Sequence, residues 1–177
     1  TYPISSLSKA AVQLIQISSQ HGIIELKQSN GDWLMTGPLQ ARADKTKVER
    51  ILDLLTTTSD YRLPPENLSR YGSAAPIAQL QVNHELFAFG QIAPVSNHQY
   101  VMTQSGIFLI SPHHAMLLTV APTELIDRRL LSEAEIPQEF IFEAMHLKQA
   151  EKWLLFPEAS NVQPSQDEIN QWVHSWQ

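Results

Sequence analysis

Gly31-Asp32-Trp33-Leu34-Met35-Thr36-Gly37-Pro38 is the stretch around which the fold is organised. Asn30-Gly31 predicts a tight hairpin turn, because both residue types tolerate a positive φ. Residues 33–36 are therefore predicted to form a strand antiparallel to residues 22–27, with residues 12–17 as the third strand of a meander. Gly37-Pro38 ends the last of these strands.

A helix is predicted over residues 44–57, with Asp44 as its N-cap. Its apolar residues recur at i, i+3, i+4 and i+7, which forms one stripe along a helix. We expect this stripe to lie on the meander, near Trp33. The residues of the stripe are Val48, Ile51, Leu52 and Leu55.

The chain after this helix alternates loops, strands and shorter helices. Prolines make residues 61–76 a loop, apart from one helical turn over residues 66–71. Four strands follow, and Pro112 and Pro122 each fit the first turn of a further helix. The predicted strands are residues 77–82, 86–89, 100–103 and 107–110, and the predicted helices are residues 113–120 and 122–131.

The pattern then restarts near the C-terminus. Residues 139–143, 145–148 and 153–156 predict three strands, and Pro157 ends the third. Ser165 and Glu168 match a capping box, in which each side chain bonds the backbone N–H of the other. The helix that follows carries the same stripe, formed by Ile169, Trp172, Val173 and Trp176. In register, Leu26 aligns with Leu147, Trp33 with Trp153, Pro38 with Pro157 and Val48 with Ile169.

These patterns predict an α+β fold of antiparallel β-meanders, each covered by an amphipathic helix, with a partial internal repeat. Residues 1–135 form the first meander and helix with a four-strand extension. Residues 136–177 begin a second, truncated unit, which we expect to pack on the first. Trp33 and Trp153 are predicted to be core residues, because each precedes a strand that faces a helical stripe.

Composition narrows the classes of function. The chain has 177 residues, a net charge of −6 and no run of Lys or Arg, which argues against nucleic acid as a partner. It has no cysteine, which excludes thiolate catalysis and thiolate metal sites. No apolar run approaches the ~20 residues that cross a bilayer, so a membrane is expected only through an anchor that is absent from this chain.

The chain resembles the bacterial "domain of unknown function 4340" family, and the resemblance covers nearly all of it. Each matching piece is short, so their order and spacing carry the resemblance. The pieces are Gly31-Asp32-Trp33-Leu34 with Pro38, Ala43-Asp44-Lys45 with Val48 and Leu52, Tyr71-Gly72 with Pro76, Phe89-Gly90, Tyr100-Val101, Phe108-Leu109-Ile110, and Leu125-Ile126-Asp127-Arg128-Arg129-Leu130-Leu131.

The resemblance implies a periplasmic or otherwise extracytoplasmic domain, tethered to the inner membrane by one N-terminal anchor. Proteins of this family are often grouped with components of membrane transporters related to gliding-motility export systems. The family has no assigned reaction, so the resemblance implies no catalytic residues. This sequence departs from the family by lacking the anchor.

Trp172 and Trp176 are the candidate partner surface, because an incomplete second unit would leave their apolar faces exposed. Arg128 and Arg129 are a candidate anion site, since guanidinium groups grip carboxylates and phosphates. The other interpretation of these arginines is the outer side of a helix whose leucines are buried. His113-His114 does not predict a metal site, because neighbouring residues on a helix diverge by about 100°.

Three functions are compatible with these sequence features. The first is a non-enzymatic interaction or scaffold domain that contacts a protein partner in the cell envelope, as an accessory to a membrane transporter. The second is a small-ligand or peptide-binding module that uses the cleft between the repeats or a sheet edge. The third is a hydrolase whose Ser-His-carboxylate triad is dispersed along the chain. No cofactor and no metal is predicted, and the oligomeric state is left open.

Overall fold

The computed structural model describes residues 1–64, 75–132, 134–156 and 164–177. The helical turn predicted over residues 66–71, the Tyr71-Gly72 piece of the resemblance and the strand end at Pro157 lie outside the described residues. The contacts divide the chain into two compact units, Thr1–Asp127 and Arg128–Gln177.

The first unit consists mainly of β-strands, with one α-helix and four short 3-10 helices in its described part. The helix α1 is Lys45–Leu52, and the 3-10 helices are Lys9–Ala11, Asp53–Thr56, Pro112–Leu118 and Pro122–Glu124. The strands are β1 (Tyr2–Pro3), β2 (Leu14–Ser19), β3 (Gly22–Ser29), β4 (Asp32–Gly37), β5 (Ala41–Arg42), β6 (Thr58–Ser59), β7 (Arg62–Leu63), β8 (Ala78–Val82), β9 (Glu85–Ile92), β10 (Gln99–Thr103) and β11 (Gly106–Ile110).

Nine of these strands form one antiparallel sheet, in the order β5-β4-β3-β2-β8-β9-β10-β11-β7. The two predicted groups of strands meet where β2 pairs with β8, with Ile17 opposite Leu80. Strands β1 and β6 pair separately. The hairpin between β3 and β4 turns at Asn30 and Gly31, whose φ values are 52° and 88°. This is the backbone conformation that the Asn-Gly pair predicts.

Helix α1 begins after Asp44, whose carboxylate accepts a hydrogen bond of 3.1 Å from the backbone N–H of Lys47. It tightens into a 3-10 helix at Asp53, which ends at Thr56. The four residues of the predicted stripe are at most 4% exposed and share one core with Trp33, which is 3% exposed. The stripe residues are Val48, Ile51, Leu52 and Leu55.

The prediction of a helix over residues 122–131 is wrong. Only Pro122–Glu124 is helical, and it is a 3-10 helix. The reason is that the following backbone groups bond the chain before α1, as Asp44 N–H donates to the Leu125 carbonyl and Asp127 N–H to the Arg42 carbonyl. This extended pairing uses groups that a helix needs internally. The helix predicted over residues 113–120 is likewise a 3-10 helix, Pro112–Leu118.

In its described residues, the second unit is a three-stranded antiparallel sheet with one helix. Its strands are β12 (Glu139–Ile141), β13 (His146–Gln149) and β14 (Trp153–Phe156), in the order β12-β13-β14, and its helix α2 is Gln166–His174. Its core contains Leu147, Trp153, Ile169 and Val173. Trp153 is 6% exposed, so the prediction that both tryptophans are core residues is confirmed.

The predicted capping box begins α2. Glu168 N–H donates to Ser165 Oγ at 3.3 Å, and Ser165 N–H donates to Glu168 Oε2 at 2.8 Å. The backbone N–H of Ser165, followed by its hydroxyl, lowers the pKa of the exposed Glu168 carboxyl. Both units thus combine antiparallel sheets with few helices, which confirms the α+β class. None of the helices in the described ranges is long and apolar enough to cross a membrane.

Candidate contact surface of the second unit

Four aromatic side chains of the second unit gather into one group, which we term the aromatic cluster. Trp172 and Trp176 pack edge to face, with ring centroids 5.4 Å apart. Phe140 lies 5.1 Å from Trp172, and Phe142 lies 6.0 Å from it, both also edge to face. Such tilted pairs are the favoured arrangement of aromatic rings. The cluster consists of Phe140, Phe142, Trp172 and Trp176.

The periods of a strand and a helix bring these rings together. Phe140 and Phe142 are two residues apart on β12 and its extension, so they share one face of the sheet. Trp172 and Trp176 are four residues apart on α2 and its C-terminal end, so they are neighbours on one side of the helix. The tryptophans were predicted from the sequence, but the phenylalanines were missed. The two-residue spacing of Phe140 and Phe142 places both on one face of a strand, but it does not show which element that face contacts.

The cluster lies between core and surface. Phe142 is 42% exposed, whereas Phe140, Trp172 and Trp176 are partly buried. The Nε1 atom of Trp176 is buried and has no hydrogen-bond partner within the described residues. A buried indole N–H is normally paired, and leaving it unpaired costs about 1–3 kcal/mol. The cluster is therefore a partly exposed aromatic surface in which the indole N–H of Trp176 has no hydrogen-bond acceptor among the described residues.

The sheet edge beside the cluster carries backbone groups that no strand among the described residues bonds. Phe142 N–H donates to the Met145 carbonyl, and Gln149 N–H donates to the Gln138 carbonyl. Because bonded and outward-facing residues alternate in an antiparallel pair, Glu139 and Ile141 direct their backbone N–H and C=O groups away from β13. In the described part of the chain, β13 is the only strand that pairs with β12.

The opposite edge of this sheet is protected at its first residue. The side-chain amide of Gln166 accepts a hydrogen bond from Trp153 N–H at 3.0 Å and donates one to the Trp153 carbonyl at 2.8 Å. This side chain thus takes the place of a neighbouring strand at Trp153. The edge of β12 has no such side-chain bond to Glu139 or Ile141 backbone among the described residues, so β12 is the more open edge.

The face of the sheet that points away from the aromatic cluster mixes apolar and charged side chains. Ile141 is 73% exposed and lies opposite His146, which in turn lies opposite Phe156. Glu139 contacts His146 Nε2 at 2.6 Å and Lys148 Nζ at 3.8 Å. Charged residues therefore interrupt the apolar ones on this face, which makes it a poorer contact surface than the cluster.

Arg128 and Arg129 are exposed and begin the second unit, after the isolated bridge between Ala43 and Ile126. They are not on a helix, so the interpretation of them as the outer side of a helix is wrong. The cause is the extended pairing of residues 125–127 with the chain before α1. Their role as an anion site stays a prediction.

The histidines are dispersed. His113 is exposed, and its Nδ1 lies 2.8 Å from Ser111 Oγ. His114 is partly buried, with Nε2 3.2 Å from Thr57 Oγ1, and burial lowers its pKa to about 4. Within the described residues, no three His, Asp or Glu side chains are grouped to hold a metal ion. The Ser111–His113 contact and the Glu139–His146 contact lie in different units, and the hydrolase stays a prediction.

Comparison with known proteins identifies a family. The family model described as "Domain of unknown function (DUF4340)" matches residues 33–172. This match confirms the resemblance that the sequence pieces indicate. No curated protein and no solved structure matches the chain.

Proposed function

The chain belongs to the family "Domain of unknown function (DUF4340)", and we propose that it is a non-enzymatic interaction domain that binds a protein partner in the cell envelope. The aromatic cluster is the observation that carries this proposal. We also propose that the domain is extracytoplasmic, tethered to the inner membrane in the full-length protein, and accessory to a membrane transporter. These three points rest on what the family resemblance implies.

We propose further that the two units are copies of one design. Their hydrogen-bond registers support this: Gln28 N–H donates to the Gln13 carbonyl at 2.9 Å, and Gln149 N–H donates to the Gln138 carbonyl at 2.8 Å. Three cross-strand pairs then correspond. They are Ile15–Leu26 with Phe140–Leu147, Leu26–Met35 with Leu147–Leu155, and Gln28–Trp33 with Gln149–Trp153.

The helices follow the same correspondence. Asp44 caps α1 and Ser165 caps α2 through the N–H three residues on. The fourth residue after each cap is buried, as Val48 and Ile169, and so is the eighth, as Leu52 and Val173. These matched positions extend the correspondence from the sheets to the helices that pack on them.

The correspondence explains why the aromatic cluster should bind a partner. Its members Phe140, Phe142, Trp172 and Trp176 occupy the positions of Ile15, Ile17, Ile51 and Leu55. All four residues of the first unit are at most 4% exposed, whereas the cluster is only partly covered. The design therefore buries these positions when it is complete, and an apolar surface of this kind is suited to a contact.

Partner capture from the solubilised envelope of the bacterium that encodes the chain tests the proposal. Trp172→Ala and Trp176→Ala should each lower capture of a specific partner by about tenfold or more, since aromatic anchors typically contribute 2 kcal/mol or more. Met116→Ala and Val95→Ala are matched controls, because both residues are exposed apolar side chains of the first unit.

Circular dichroism and hydrogen exchange of Leu147 should show that the variants keep the fold of the second unit. Equal capture by the folded tryptophan variants and the wild type would contradict the proposal. The alternative of a peptide-binding module at a sheet edge is favoured by one observation, the outward-facing backbone groups of Glu139 and Ile141.

A further inference from the structure

The outer edge of β12 corresponds to an edge that the first unit fills. In the first unit, β2 lies between β3 and β8. Leu14 and Gln16 are the residues of β2 whose backbone groups face β8, and the Asn83 N–H donates to the Leu14 carbonyl at 2.9 Å. In the second unit, Glu139 and Ile141 take the places of Leu14 and Gln16, and no strand within the described residues bonds them.

The first unit also indicates the chemistry of the strand that fills such an edge. Ala78, Leu80 and Val82 of β8 are at most 1% exposed, and they alternate with Gln79 and Gln81, which are partly exposed. Leu80 lies opposite Ile17 and Val82 opposite Ile15. The buried residues of β8 therefore cover the two positions that Phe142 and Phe140 occupy in the second unit.

A second element of the first unit covers the helix. The 3-10 helix Pro112–Leu118 packs against α1, β2 and β8, with Ala115 and Leu118 buried at 5% and 1% exposure. Ile51 and Leu55 lie in the same core cluster as these two residues. Trp172 and Trp176 hold the corresponding positions on α2.

We propose that β12 accepts an extended strand from the partner, and that this strand pairs antiparallel with Glu139–Ile141 while covering the aromatic cluster. The strand alternates polar residues with apolar ones, as Gln79 and Gln81 alternate with Leu80 and Val82 in β8. This inference deepens the proposed function and rests on the same surface. Its recognition combines backbone hydrogen bonds with apolar contacts, as in other strand additions.

A tethered strand tests the proposal on the full chain. Residues 77–83, whose sequence is that of β8, are appended after Gln177 through a linker of about 20 Gly and Ser residues. Such a linker spans ~25 Å r.m.s. and gives a millimolar effective concentration. A unit of this size has a radius of gyration of ~10 Å, so the linker reaches any of its edges. The probe is this appended strand.

A single proline supplies the matched control. Gln81 lies opposite Gln16, so its copy in the appended strand should bond Ile141. Proline at that position of the copy removes the required N–H while leaving the other residues unchanged. With the native copy, hydrogen exchange of the Glu139 and Ile141 amides should slow by about tenfold or more, and tryptophan emission should shift to shorter wavelength. Equal exchange of these amides in both fusions would overturn strand addition.

A second pair of variants separates this inference from the proposed function. Ile141→Pro removes one outward N–H and keeps the pairing with β13, whereas Ile141→Ala keeps the N–H. If the partner adds a strand to β12, partner capture should fall with Ile141→Pro and persist with Ile141→Ala. If capture depends on Trp172 but not on Ile141→Pro, the contact surface stands and strand addition fails. If the tethered strand protects Ile141 while Trp172→Ala leaves capture unchanged, the edge of β12 accepts a strand and the proposed partner surface fails.

Discussion

The imidazole of His114 should make the stability of the chain depend on pH. Burial, followed by the positive charge of His113, lowers its pKa to about 4, and the carboxylate of Asp53 opposes this shift. Its buried Nδ1 has no hydrogen-bond partner among the described residues, so a proton there would be unpaired. The unfolded chain, with a histidine pKa of about 6.5, therefore binds this proton more readily than the folded chain.

The sign of the effect follows directly. His114 is neutral in both states above pH 6.5, so stability is complete there and is lost as the pH falls from about 6.5 to about 4. Because the ring is only partly buried, we expect a loss of about 1–2 kcal/mol, less than the full shift implies. Denaturant unfolding at pH 7 and pH 4.5 measures this loss of stability. The His114→Gln variant should lose less stability than the wild type between these pH values, by the contribution of His114.

His113→Gln is the control for this measurement, because His113 is exposed and its replacement leaves His114 in place. Most of the pH dependence should persist in that variant. If His114→Gln loses as much stability between pH 7 and pH 4.5 as the wild type, then protonation of His114 does not cause the pH dependence, and the prediction is wrong.

At the same scale, the sequence analysis singled out only two of the four residues of the aromatic cluster. Trp172 and Trp176 were recognisable because tryptophans at a four-residue spacing mark one side of a helix. Phe140 and Phe142 are two residues apart in a short strand, and a short apolar run does not show which neighbour its side chains face. The residues that contact one face of a strand are distant from it in the sequence. A local sequence pattern therefore cannot predict the complete cluster.

At the scale of elements, the two helix caps should contribute separately to stability. Ser165→Ala removes the acceptor for Glu168 N–H, and Asp44→Ala removes the acceptor for Lys47 N–H. Each substitution should lower the free energy of unfolding of its unit by about 1 kcal/mol. Ser165→Asp and Asp44→Ser keep an acceptor and should stay within about 0.5 kcal/mol of the wild type.

Chemical denaturation monitored by backbone amide exchange in each helix measures these differences. A loss with Ser165→Asp as large as that with Ser165→Ala would show that the capping hydrogen bond is not what stabilises α2.

The caps also explain which elements were predictable. Helices α1 and α2 begin where the side chains of Asp44 and Ser165 fix them, and the Asn30-Gly31 hairpin turns where its positive φ values require. The helix predicted over residues 122–131 rests on Pro122 at its first turn, and no side-chain cap of this kind precedes it. Its backbone groups instead bond Arg42 and Asp44, about 80 residues earlier, and no local pattern contains that information.

At the scale of the whole molecule, the main feature beyond local sequence is the pairing of β2 with β8. It joins two groups of strands that are consecutive only within themselves, and α1, β6 and β7 lie between the two groups in the chain. Hydrophobic alternation predicts a strand but not its neighbour. The strand order, and with it the burial of Ile15 and Ile17 beside β8, required the structure.

The two units should differ in local stability, because their hydrophobic cores differ in size. Leu26 and Leu147 are core residues of the first and second unit, at 0% and 2% exposure, but the core around Leu26 contains many more buried residues than the core around Leu147. Opening the second unit exposes less apolar surface, so it costs less free energy. Native-state hydrogen exchange should therefore find the Leu147 amide less protected than the Leu26 amide, by about 2 kcal/mol or more.

The tethered β8 strand should reduce this difference in protection, whereas its proline control should not. Equal protection of the two amides in the unmodified chain would refute the expectation that the second unit is the less stable of the two.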